Sequence, residues 1–169
     1  IEFQSLGNAH SAMKSTLASR TDELEAARTK LTRLIDLGIA MSVEKDGDRL
    51  MKMMLAGAKE IANADGGTLY ILGEDGKLHF QIIQNDSLGI SLGAEGEGLP
   101  NIPPVPLRDA DGQPNHSNVV SHAVHAERSV NIADAYDTGE FDFSGTRAFD
   151  ERNNYRSRSF ITVPLKPRG

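Results

Sequence analysis

The sequence predicts an α+β fold. An antiparallel sheet carries helices on one face and a lid on the other, and a long N-terminal coiled-coil helix precedes it. Three observations carry this. Leucine recurs at Leu17, Leu24 and Leu31, every seventh position, which is a helical period. TLYIL at 68–72 and KLHFQII at 77–83 flank the turn sequence GEDG, the pattern of a β-hairpin. VNI at 130–132 and SFITVP at 159–164 enclose a long polar and aromatic excursion. Strand, excursion, strand is how a sheet builds a lid, and loops of that length are usually functional or disordered. The density of Phe and Tyr argues against disorder.

In chain order, Met13, Arg20, Ala27 and Leu34 fill the second position of the leucine heptad, with Arg20 the one misfit. Charged Asp22, Glu23, Glu25, Arg28 and Lys30 flank the stripe. So narrow an apolar seam predicts a homodimer through residues 13–41, the alternative being an amphipathic helix packed on its own domain. The pattern ends near 43–45. Asp46 or Asp48 then caps a second helix over 48–63. Its Leu50, Met53, Met54, Gly57, Ala58 and Ile61 share one face, read as core because Met fills irregular gaps. Residues 65–67 break this helix, and the hairpin follows. Residues 85–115 are rich in Gly and Pro and predict irregular structure. Their glycines follow no phosphate-binding fingerprint. HSNVVSHAVHAE at 116–127 predicts a short helix capped by Asn115 or Ser117.

The chain has 169 residues, 38% of them hydrophobic and 25% charged, which suits one soluble domain with an appendage. A net charge of −6 disfavours a nucleic-acid partner. No cysteine is present, so disulfides, thiolate catalysis and Cys-ligated zinc are excluded. No apolar run reaches membrane-spanning length, and no signal peptide is recognisable. A cytoplasmic location without membrane contact is expected. Ile1 is not an initiator, so a longer parent protein is expected.

Several constellations could carry chemistry. His122 and His125 lie three apart on one helical face, with His116 off it. Zinc needs a third ligand and usually a fourth, so these are read as surface or pocket-lining groups and no metal is expected. Asp142, Asp150 and Glu151 could pair as acid and base. Asp150 and Glu151 before Arg152 read more simply as the cap or ion pairs of a short helix. No catalytic signature is present, so no enzymatic activity is expected of this segment. Arg147, Arg152, Arg156 and Arg158 could hold an anion or pair with those acids. In a strand, Arg156 and Arg158 share a face. Tyr136, Phe141, Phe143 and Phe149 are either lid core or stacking surfaces for a flat ligand. Asn85, Asp86 and Ser87 follow the second strand, where backbone groups leave the ladder.

N-I-x-D-A-Y at 131–136, F-D at 149–150, Y-R-S-R-S at 155–159, V-P-L at 163–165 and ADGGTLYIL at 64–72 together resemble a GAF domain. The likeness spans about the last four-fifths of the chain. NDSLGI and GQPNHSNV resemble modules found in bacteria upstream of HD-type phosphodiesterase or nucleotide cyclase domains. The resemblance implies residues 1–45 as a signalling and dimerisation helix and 46–169 as a C-terminally truncated sensor domain. It implies a regulatory role in signal transduction, in which a small ligand biases the helix and so an output domain outside this chain. Asn131, Asp134 and Tyr136 match positions where GAF relatives contact ligand. With Asn85, Asp86, Ser87, Asn115, Phe143, Phe149, Arg156 and Arg158 they make the expected ligand-binding set. The pocket is expected between the sheet and a lid of residues 115–126 and 134–151. A small planar, polar metabolite fits that set, a cyclic nucleotide among the candidates. No cofactor is expected, because bilin-binding relatives tether their pigment through Cys. GAF domains have a further strand after V-P-L, so either an open slot beside 68–72 or its filling by a neighbouring chain is expected. The alternative is a ligand-free dimerisation module.

Overall fold

The computed structural model describes residues 2–93, 98–99 and 101–166. Two compact units divide the chain, Ile1–Ala64 and Asp65–Gly169. No helix among the described residues is long and apolar enough to cross a membrane.

The first unit is a helical hairpin of α1 (Glu2–Val43) and α2 (Gly47–Ala62). Helix α1 runs back past Met13, where its heptad begins, to Glu2. The turn is fixed by side chains. Asp46 Oδ1 caps α2 by accepting from the Arg49 amide at 2.9 Å. The Glu44 carboxylate accepts from the amides of Lys45 and Asp46 at 2.9 and 3.0 Å and pairs with Arg49. Helix α2 then returns along α1, with Gly57 against Leu37 and Glu60 paired with Arg33. A Cβ at Gly57 would overlap the Leu37 side chain. Asn63 ends α2 in the left-handed region at φ 50°, and the Ala64 amide closes onto the Lys59 carbonyl at 2.9 Å. Leu17, Leu24 and Leu31 face solvent, Leu24 at 70% exposure.

In the second unit, β1 (Gly66–Leu72) and β2 (Lys77–Asn85) form the expected hairpin. The Gly73 amide donates to the Lys77 carbonyl at 2.8 Å across the turn. The other edge of β2 carries β3 (Ile90–Leu92) and β4 (Val105–Pro106). These correct the expectation of wholly irregular structure there. Runs of three and two residues flanked by Gly and Pro leave no periodicity to read. Helix α3 (Val119–Ala126) is capped by Asn118, whose Oδ1 accepts from the Val120 and Ser121 amides at 3.0 and 3.4 Å. The cap is therefore neither Asn115 nor Ser117.

Strands β5 (Val130–Ile132) and β6 (Phe160–Thr162) pair antiparallel, with Asn131 opposite Ile161. The excursion between them is not all loop, because α4 (Ser144–Asn153) lies within it. Every strand pairing described is antiparallel. Among the described residues the strands pair as a four-stranded and a two-stranded set. Among the described residues, β1 bonds only β2 and β6 bonds only β5, so β1 and β6 do not pair. A core cluster of this unit is Val119, Ile132, Ala135 and Phe143, with Phe141, Phe160 and Tyr136 packed against it, and Leu78, Ile82 and Ala123 are buried as well.

Candidate functional site

Asp150 is the centre of the excursion. It sits near the end of α4 at 2% exposure. Its Oδ2 accepts from the Tyr136 hydroxyl and the Ser157 amide, each at 2.8 Å. Its Oδ1 accepts from the Ser157 hydroxyl, also at 2.8 Å. Its carbonyl accepts from the Tyr155 amide at 3.0 Å. A buried carboxylate needs such donors, because burial without them is costly. Asp150 thus ties α4 to the segment entering β6. This corrects its reading as a surface cap or ion-pair partner. Donating to Asp150 raises the Tyr136 hydroxyl above its usual pKa.

Asp134 stands just beyond β5. Its Oδ1 accepts from the Tyr136 amide at 2.9 Å, closing an Asx turn. Its Oδ2 accepts from Arg156 Nη2 at 3.2 Å and lies 4.0 Å from Arg158 Nε. The carboxyl is held below its ordinary pKa, first by the Tyr136 amide, against partial desolvation, and then by Arg156. The Arg156 guanidinium lies over the Tyr136 ring at 4.4 Å from its centroid, and that of Arg147 at 5.3 Å. The segment before β6 therefore alternates. Arg156 and Arg158 face Asp134 and solvent, while Ser157 faces Asp150.

The rest of the expected ligand set lies elsewhere. Asn85 is buried, and its Oδ1 accepts from the Leu88 amide at 2.9 Å. Exposed Asp86 donates its amide to the Asp65 carbonyl at 2.9 Å. Ser87 donates its amide and hydroxyl to Asp65 Oδ1 at 3.0 and 2.7 Å. The Tyr155 hydroxyl donates to Asp65 Oδ2 at 2.7 Å, which raises its pKa. Asn115 Nδ2 donates to the Pro106 carbonyl at 2.9 Å, and its Oδ1 accepts from Ser117. Asn131 is exposed, on the face of β5 opposite buried Ile132. Phe143, expected at a ligand, is a core residue at 4% exposure. Its neighbours are apolar, so its ring fills the space under α3 and β5 rather than lining a site. Phe149 is half-buried on α4. Asp134, Tyr136, Arg156 and Arg158 thus gather with Asp150, and Asn85, Asp86 and Ser87 gather about Asp65, while Asn115, Asn131, Phe143 and Phe149 make none of these bonds.

Sequence reasoning missed Asp65, Tyr155 and Ser157. The signal for the last two was the polar alternation Y-R-S-R-S, in which Tyr155 and Ser157 turn inward. The histidines also meet more closely than their spacing suggested. His116 and His122 approach Nδ1 to Nδ1 at 3.1 Å, and the His125 ring lies 5.6 Å from that of His116. His125 Nε2 donates to the Leu107 carbonyl at 2.6 Å. Among the described residues, no buried side-chain nitrogen or oxygen lacks a partner.

Neither a family model nor a curated protein matches the sequence. Solved structures do match. The chain is similar to the GAF domain from a phosphoenolpyruvate-protein phosphotransferase (ptsP) from Coxiella burnetii, with a TM-score of 0.57. That likeness covers 85% of this chain and 73% of that one. The fold is GAF-like. At 15% identity the likeness establishes fold and nothing finer. The GAF-like fold agrees with the resemblance drawn from N-I-x-D-A-Y and V-P-L.

Proposed function

We propose that this chain is a regulatory module of a signal-transduction protein, working as a homodimer through α1 and sensing a small polar ligand at the excursion between β5 and β6. The observation that carries the reading is the leucine stripe of α1. Leu17, Leu24 and Leu31 repeat at coiled-coil spacing and stand open to solvent. A soluble helix with such a seam gains from burying it against a second copy. Ligand binding then alters function only if it favours one arrangement of that dimer over another.

The ligand fitting this reading is small and polar, with a planar part suited to the Tyr136 and arginine stack. A cyclic nucleotide is one such molecule. The likeness of NDSLGI and GQPNHSNV to modules upstream of phosphodiesterase or cyclase domains supports an output of that kind. A second reading, a ligand-free dimerisation module, is favoured by a different observation. Asn85, Ser87, Asn115 and Tyr136 already bond within the chain.

Sedimentation and native mass spectrometry of the purified chain test both. A dimer that carries a co-purified small molecule supports the sensor. A dimer that stays empty, and gains no mass on incubation with metabolite mixtures, favours the second reading. A chain that sediments as a monomer at about 100 μM, far above the dissociation constant expected of a working seam, overturns the dimer.

A further inference from the structure

We infer that Arg156 and Arg158 form a capture site for an oxyanion of the phosphate or carboxylate class, set on the surface by Asp134 and Tyr136. The inference deepens the sensor reading and rests on it, because it names the chemistry of the ligand.

The argument starts from spacing. Residues 156 and 158 are two apart in an extended segment, so their side chains leave the same side. Ser157 between them is anchored inward on buried Asp150. That anchor fixes the backbone from which both arginines rise. Two guanidiniums of the same charge then stand beside one carboxylate oxygen, Asp134 Oδ2, at 3.2 and 4.0 Å. Only the nearer makes a hydrogen bond there. The other Asp134 oxygen already takes the Tyr136 amide. Each guanidinium carries five N–H donors, so one carboxylate leaves most of them turned to solvent.

Such a pair is useful because it is already placed. Arg156 is stacked on Tyr136 at 4.4 Å and tied to Asp134, so less of its rotamer freedom remains to be lost on binding. Arg158 is the more exposed of the two and can swing its planar fork onto a second oxygen. Arg147, over the same ring, adds positive potential. Planar forks and oxyanions match in geometry, which a lone ammonium does not achieve. An anion bound here would contact the segment that leads directly into β6 and, through Ser157 and Asp150, α4.

The test is a titration of the isotope-labelled 169-residue chain with inorganic phosphate, followed by NMR and held at constant ionic strength with sodium chloride. Saturable shifts at Asp134, Tyr136 and Ser157 in the millimolar range are expected, as suits an exposed site. Arg158→Ala should weaken binding about tenfold, and Arg156→Lys, which keeps charge but loses the fork, by a similar factor. Thermal unfolding should show both variants folded, since neither side chain is buried. Shifts that fail to saturate by about 20 mM phosphate, or that persist unchanged in Arg158→Ala, overturn the inference. So does a co-purified neutral ligand whose binding survives Arg158→Ala, although the sensor reading would then stand.

Discussion

Helix α1 and the excursion between β5 and β6 treat their own side chains in opposite ways. The helix leaves its best apolar residues, Leu17, Leu24 and Leu31, in water. The excursion turns a polar knot inward, with the Tyr136 hydroxyl and Ser157 bonded to buried Asp150. Exposed apolar surface in a regular stripe marks an intermolecular contact. Satisfied buried polar groups mark a self-contained structure that fixes one conformation. The proposed contact with a second copy therefore falls to the helix. What the excursion offers outward is polar, and includes the guanidiniums of Arg147, Arg156 and Arg158.

The largest expected effect lies on the helix. Leu24→Glu should place like charges at the seam and remove a buried leucine from each copy. Burial of one leucine contributes about 1.5–3 kcal/mol, so losing two should weaken the dimer about a thousandfold. Analytical ultracentrifugation should show a monomer at concentrations where the parent is dimeric, with helix content by circular dichroism kept. Equal dimerisation of variant and parent would remove the functional side of the contrast.

The excursion should respond in stability instead. Asp150→Ala strands three donors that now meet one carboxylate: the Tyr136 hydroxyl and the Ser157 amide and hydroxyl. Leaving buried donors unpaired costs about 1–3 kcal/mol each, and some will find water, so a loss of about 3 kcal/mol is expected in urea denaturation. A loss under about 1 kcal/mol would mean that the knot does not fix the excursion. Asn118→Ala should cost about 1 kcal/mol, as loss of a helix cap does. The same substitution at Asn115 or Ser117 should leave α3 itself intact.

The two regions also differed in how well the sequence could be read. The α1 heptad is legible because repetition needs no knowledge of the fold. The β1–β2 hairpin is legible because turn residues and apolar runs are local. Strands β5 and β6 showed through as VNI and SFIT. Of helix α4 only a short helix at Asp150 and Glu151 was expected, and its span was not legible, because only Asp150 is buried along it and its N-cap, Phe143, makes no side-chain cap bond. A helix without an apolar stripe or a polar cap has no sequence signature. The site was half legible for the same reason. Asp134, Tyr136, Arg156 and Arg158 all belong to the expected set and do meet. The role of Asp150 depends on Tyr136, fourteen residues away in sequence, and on packing that covers it, which no local pattern encodes. Phe143 was misplaced because an aromatic in a polar segment looks the same whether it lines a site or fills a core.

The smallest effect sharpens the picture of the arginine face. The folded pKa of the Asp134 carboxyl is lowered. Its contribution to stability is therefore present above the ordinary aspartate pKa and fades as pH falls through the lowered folded value. The largest cause is the Tyr136 amide, with the Arg156 bond ranking after it and after an opposing desolvation. The Tyr136 and Arg156 contributions can be separated, because one is backbone and the other is a removable side chain, with the weaker pull of Arg158 left in place. Arg156→Ala should move the carboxyl pKa upward but leave it below the ordinary aspartate value, since the Asx turn survives. Carboxyl carbon chemical shifts followed from pH 6 to pH 2, a window spanning the ordinary aspartate value of about 3.9, would measure this. A full return to that value would mean that Arg156 holds the turn in place rather than leaning on it. No movement at all would mean that the Arg156 guanidinium does not act on Asp134 in solution, and the capture site would lose the partner that orients it.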